Sequence, residues 1–150
     1  MMLSVNPQSR SLWQSLFRNK LVTKQYQAVA ASAPKLDFPI SRESRLERDV
    51  QFFRMKEVGG PANSHTQIDL IEERGVNALY ALTPITGKMH QLRVHMNAIG
   101  LPILNDSFYP VALPSGMDDF SKPLKLLAKS ISFIDPITGE SRQFNSLQNL

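Results

Sequence analysis

A chain of 150 residues with 42% hydrophobic content is long enough for one domain with a sizeable core. No apolar run approaches the ~20 residues that span a bilayer, and residues 1–5 are too short for a signal-peptide core, so a cytoplasmic protein is expected. The absence of cysteine excludes a disulfide framework and a thiolate metal site, and the net charge of +4 is unevenly placed. Residues 1–56 hold ten Lys or Arg against four acids, whereas residues 57–150 hold seven against nine. A one-sided basic surface suits a protein that gathers around phosphates, because binding releases condensed counterions.

Taken in chain order, residues 6–19 read as a helix. Asn6 can cap it, Pro7 suits a first turn, and Leu12, Trp13, Leu16 and Phe17 share one stripe. Residues 21–30 alternate as a strand does, with Val22, Lys24, Tyr26 and Ala28 on one face. A loop over 31–40 is followed by three expected strands at 50–58, 65–73 and 77–85, joined by turn-forming stretches, which predicts a three-stranded antiparallel meander. Next comes a helix over 90–98. Leu92, Met96 and Ile99 form its buried stripe, His90, Arg93 and Asn97 an adjacent polar face, and Gly100 and Pro102 end it. A long loop leads to a hairpin over 124–144 that turns between Asp135 and Gly139. The tetrapeptide P-I-T-G occurs at 84–87 and 136–139, in surroundings that predict a shared turn and no internal repeat. The class expected is α+β, a single domain over residues 1–150 with a mixed, largely antiparallel sheet and flanking helices.

The polar chemistry is concentrated between Thr83 and Gly100. His90 and His95 are five residues apart and do not share a helix face, and no third ligand lies nearby, so no metal site is expected. No G-x-S-x-G occurs, which removes the nucleophile elbow of a serine hydrolase. Two readings stay open from spacing alone: a helix that positions an anion or carboxylate through Arg93, and a capped structural helix with an exposed arginine.

The run PITGKMHQLRVHMNAIGLPILNDSFY closely resembles the P-x-T-G-R-x-H-Q-x-R-x-H and G-x-P-I-x-G-D-x-x-Y signature of RNA pseudouridine synthases of the RluA type. KQYQAV, residues 24–29, resembles that family's K-x-Y-x-A strand. LLAKSISFIDPITGE is similar to its closing hairpin, so the likeness runs from about Leu3 to Phe144. It implies a cofactor-free isomerisation of uridine to pseudouridine in rRNA or tRNA, with the target base flipped into a cleft. Tyr26 would then stack on the uracil and help with proton removal from the base, and Arg93 would pair with the catalytic aspartate. Lys24, Lys88, His90, Gln91 and His95 would support the site or contact RNA.

The sequence also departs from the pattern. Lys88 replaces an arginine, Asn105 a glycine and Leu127 a histidine, while Asp106 keeps the structural aspartate of G-D-x-x-Y. The family's R-L-D-x-x-T-S-G loop, which carries the nucleophile, occurs nowhere in these residues, and S-R-L-E-R-D at 44–49 falls after the tyrosine strand and lacks T-S-G. The chain therefore reads as the C-terminal portion of such a catalytic domain, inactive alone, with Arg93 lacking its carboxylate and a sheet edge open to self-association. The alternative is a non-catalytic RNA-binding module derived from the same fold.

Overall fold

A short helix, α1 (Arg10–Arg18), leads directly into strand β1 (Val22–Ala31), and β1 becomes an interior strand of the sheet. The computed structural model describes residues 6–50, 53–114, 119 and 121–150. The further strands are β2 (Ile40–Arg48), β3 (Met55–Val58), β4 (Ser64–Arg74), β5 (Asn77–Pro84), β6 (Leu126–Ile134) and β7 (Ser141–Asn145), with helix α2 (Gln91–Ala98) between β5 and β6. The seven strands lie in the order β3-β2-β4-β5-β1-β6-β7, and every pairing among the described residues is antiparallel. The edges are β3 and β7, and β7 exposes all five of its residues.

The expected strands at 21–30, 65–73 and 77–85 and the closing hairpin are all present, because each alternates apolar and polar residues across one covered face. The meander is not. Residues 41–48, to which the sequence assigns no element, and Ile40 form β2, a nine-residue strand between β3 and β4. Its first half, Ile40–Ser44, pairs with Ile68–Ser64, and its second half, Arg45–Arg48, pairs with Val58–Met55. The strand hides its signal because its partly buried positions are polar and satisfied by partners. Arg42 makes a two-pronged pair with Glu57, and Ser44 bonds Ser64. Of the strand expected at 50–58, only Met55–Val58 is strand, and residues 51–52 lie outside the described residues.

Both helices cover the face that the even-numbered residues of β1 present. Ala28 and Ala30 sit opposite Tyr80 and Ala78, and with Ile68 and Leu82 they meet Leu92 and Met96 of α2 in the main core. Fully burying each of the large apolar side chains contributes roughly 1.5–3 kcal/mol. Farther along β1, Val22 and its partner Phe133 meet Leu16 of α1, and Trp13 packs edge-on to Phe133 with ring centroids 5.7 Å apart. The α1 stripe is thinner than expected, since Leu12 and Phe17 are exposed and only Leu16 is fully buried. The helix also starts later than expected. The Asn6 side chain accepts the Gln8 N–H at 2.9 Å, which closes a turn around Pro7 before the first helical residue.

The two P-I-T-G stretches do not share a turn. In the first, Thr86 accepts the His65 N–H at 2.9 Å and donates to Gln91 Oε1 at 2.7 Å. In the second, Asp135 Oδ1 takes the Ile137 and Thr138 N–H groups and Gly139 turns at φ 75°. The flanking residues, not the tetrapeptide, decide the conformation.

Candidate active-site cleft

The gap between the end of α1 and the start of α2, above β1, is a hollow of about 380 Å³. Arg18 and Lys20 face it from the end of α1, Lys24 from β1, and Thr86, Gly87 and Lys88 from the turn before α2. A Cβ on Gly87 would stand 3.4 Å from the Lys24 ammonium, the movable end of a flexible side chain, so the lysine tip reaches right up to this turn. Burial among these groups pushes the Lys24 ammonium below the usual lysine range. Two residues on, Tyr26 is half-buried against the core cluster that holds Leu92 and Met96. Its ladder to β6 slips here, from Gln25↔Ser130 to Tyr26↔Ala128, which leaves Lys129 as the extra residue of a bulge. Bulges re-aim side chains, and this one adjoins the tyrosine.

Gln91 spends its whole amide holding the turn beside the hollow. Its Oε1 accepts from Thr86 Oγ1 at 2.7 Å and the Lys88 N–H at 3.0 Å, and its Nε2 donates to the His65 carbonyl and Thr66 Oγ1, both at 2.9 Å. With both acceptor and both donor directions used, and the residue buried, Gln91 positions the turn and has nothing left for RNA.

His95 is likewise not an RNA contact, because it is fully buried. Its Nε2 lies 3.0 Å from Ser44 Oγ and 2.9 Å from Ser64 Oγ, and its Nδ1 lies 2.9 Å from Thr66 Oγ1. Ser64 already donates its proton to the Ser44 carbonyl at 2.7 Å, so it accepts from His95 Nε2–H, and Thr66 then donates to Nδ1. This inventory needs a neutral ring. Burial first of all lowers its pKa to about 4; Glu57 pulls the other way, and the neighbouring Arg42 and His65 add to the lowering.

Arg93 does not lack a carboxylate. Nε donates to Asp106 Oδ2 at 2.8 Å and Nη2 to Oδ1 at 2.5 Å, with the two side chains 13% and 0% exposed. Asp106 Oδ1 also accepts the Phe108 and Tyr109 N–H groups at 2.8 and 3.0 Å. The guanidinium lies 4.6 Å from the Phe108 ring centroid and 5.4 Å from that of Tyr109. The expectation of an unpartnered arginine fails because the chain loops back after Gly100 and returns Asp106 to the same helix. Arg93 Nη1 carries no hydrogen bond among the described residues.

His90 stands just before α2 with φ 51°, and its Nδ1 is 3.3 Å from the Tyr109 hydroxyl. That hydroxyl donates to the Met55 carbonyl at 3.0 Å and accepts the Met55 N–H at 2.8 Å, which ties β3 to the loop after α2. Burial, then the nearby Arg93, lowers the His90 pKa.

Of the residues singled out from sequence, Lys24 and Lys88 share one hollow, whereas His90 and Arg93 belong to a second group with Asp106 and Tyr109. Sequence reasoning missed Ser44, Ser64 and Thr66, and its only signal for them was polar residues at strand positions that alternate inward. Among the described residues, no three His, Asp or Glu side chains come together as a metal ion requires, and no helix is long and apolar enough to cross a membrane.

A family model described as RNA pseudouridylate synthase matches residues 1–98. The dual-specificity RNA pseudouridine synthase RluA of Vibrio parahaemolyticus is 33% identical over 146 residues, covering 91% of this chain and 56% of that protein. The same-named protein of Salmonella typhi is 35% identical over 136 residues, covering 85% and 58%. Human RNA Pseudouridylate Synthase Domain Containing 1 shares the fold, with a TM-score of 0.76 at 23% identity over 96% of this chain and 62% of that one. The chain thus spans little more than half the length of the curated relatives it matches. With a family model that matches residues 1–98, more than half of its length, the chain belongs to the RNA pseudouridylate synthase family.

Proposed function

We propose that these residues form the base-binding and RNA-facing part of a site that isomerises uridine to pseudouridine in rRNA or tRNA. The observation that carries this reading is Tyr26, half-buried at a break in the ladder register, two residues from a lysine that lines a basic hollow. A flipped uracil needs an aromatic face to replace the stacking it loses, and its phosphates need cations near the mouth. Tyr26 supplies the face and, through its hydroxyl, helps remove the proton from the base, while Lys24 and Lys88 supply the cations. Arg93, locked by Asp106, keeps one guanidinium nitrogen for a second carboxylate, the aspartate of an R-L-D-x-x-T-S-G segment. No such segment occurs in the 150 residues, so these residues by themselves bind RNA and do not turn it over.

The test is tritium release from RNA carrying uridine labelled at carbon 5. The 150-residue chain should give none, and the chain joined to an upstream R-L-D-x-x-T-S-G segment of a relative should turn over. In the joined protein, Tyr26→Phe should slow release by about 10²-fold or more. Release by the 150 residues at the joined protein's rate would overturn the division of labour, and an unimpaired Tyr26→Phe would remove the tyrosine's role. A non-catalytic RNA-binding module is favoured by one observation, the hollow's lining of cations without a carboxylate. Tight RNA binding by a joined, folded protein that releases no tritium would select it.

A further inference from the structure

We infer that the end of α1 forms a phosphate seat, in which Arg18 and Lys20, with Lys24 and Lys88 opposite, hold one backbone phosphodiester of the bound RNA. The inference rests on the RNA reading above and adds residues and a ligand group to it.

The first observation is charge. Several cations elsewhere are neutralised, Arg42 by Glu57, Arg74 by Glu72, Arg93 by Asp106 and Arg142 by Asp135 and Glu140. Arg48 and Lys129 on the sheet make no ion pair among the described residues, but they stand apart from one another on β2 and β6. Arg18, Lys20, Lys24 and Lys88 converge on one hollow that no carboxylate lines, and none of them makes an ion pair among the described residues. Four like charges brought together without a counterion repel one another, and a doubly coordinated anion relieves that repulsion.

The second observation is backbone. Helix α1 ends with Lys20 N–H on the Phe17 carbonyl at 3.3 Å and Leu21 N–H on the Leu16 carbonyl at 2.8 Å. That is the Schellman arrangement, and it puts Lys20 at the left-handed position, φ 57°. Helix α2 ends the same way, with Gly100 N–H on Asn97, Leu101 N–H on Met96, and a glycine at φ 81°. Glycine adopts this conformation without penalty and lysine does not. The helix dipole accounts for a cation near the end of α1. It does not require that cation at the one position where its backbone is strained, and it has no bearing on Lys24 or Lys88. An observed backbone strain inside a basic hollow points to a role for the side chain.

The test uses a fluorescein-labelled single-stranded uridine-containing RNA, titrated with the protein between 50 and 300 mM salt. Lys20→Gly should raise the thermal midpoint, because it relieves the strain, and yet weaken RNA binding about 3–10-fold and lower the salt slope by about 1. Arg18→Ala should weaken binding similarly. Lys35→Ala, which removes the same charge from the exposed loop after β1, should leave the affinity within about twofold. A single neutral methylphosphonate linkage at the seated position should reproduce the loss and make Lys20→Gly silent. Saturable micromolar binding of inorganic phosphate or uridine monophosphate, lost in the same variants, would confirm the seat and assign it to a free phosphate. Unchanged RNA affinity and slope in both Lys20→Gly and Arg18→Ala, with wild-type binding intact, would overturn the seat and leave the RNA reading standing. A wild-type chain with no salt-dependent RNA binding would overturn both.

Discussion

The buried His95 makes the stability of this fold depend on pH in a way that can be worked out in advance. Folded, the ring is neutral, with its proton on Nε2 given to Ser64 and its Nδ1 lone pair filled by Thr66, and its pKa is lowered to about 4. Unfolded, it titrates near ~6.5. Because the folded value is depressed, the unfolded chain binds the extra proton first. The contribution is complete above about pH 6.5, shrinks as pH falls, and has no more to lose below about 4. At pH 5 the loss is about 2 kcal/mol, a large part of a marginal stability. The assay is urea unfolding from pH 7.5 to 4.5 on the wild type and on His95→Gln, which keeps an N–H donor and cannot be protonated. Carboxylates away from the ring are common to both chains and cancel in the difference; Glu57, whose own burial opposes the lowering by Arg42 and Ser44, also feels the His95 charge and so contributes to the gap. The gap between the two proteins should narrow by about 2 kcal/mol on going from pH 7.5 to 5. A gap that stays constant over that range, or a His95 ring proton that titrates near 6.5 by NMR, would show that the network tolerates a charged ring and refute the proton inventory.

Two further outcomes follow from the second group around α2. Arg93→Met and Asp106→Leu should each cost about 3–5 kcal/mol in urea unfolding, because each strands a buried charge. The double variant should cost clearly less than the sum, and strict additivity would mean the pair is not coupled. Tyr109→Phe keeps the ring but leaves the Met55 N–H and carbonyl without their partner, and should cost about 1–3 kcal/mol by the same measurement. A change within experimental error would show that solvent replaces the hydroxyl.

The legible parts of this fold are those where apolar alternation and burial coincide. β1, β4, β5 and the closing hairpin could be read because Ala28, Ile68, Leu82 and Phe133 mark their covered faces. β2 could not, since S-R-E-S-R-L-E-R has one buried apolar residue, Leu46, and its pairing depends on partners far along the chain. The site divides the same way. The motif located the turn and helix at 84–98, but not which of its polar residues face outward. Gln91 and His95 look like ligands in a string of letters. Their partners, His65, Ser44, Ser64 and Thr66, sit on strands that only the folded sheet brings under the helix. Asp106 could be named as structural from its motif, but that it closes on Arg93 depends on the path of the loop between them.

The position of β1 in the sheet carries a consequence for the order of assembly. The strand bearing Lys24 and Tyr26 precedes both of its partners in the chain, with Tyr26 paired to Leu82 on one side and to Ala128 on the other. The hairpins β2–β3, β4–β5 and β6–β7 each close over short stretches of chain, with little loop entropy to overcome. β1 has no such local partner. It must wait until β5 exists for its first neighbour and until β6 exists for its second, so the tyrosine strand is docked after both flanking hairpins have formed. The bulge at Lys129 is set only at that second docking, and the aim of the Tyr26 side chain is therefore among the last features of the fold to be decided.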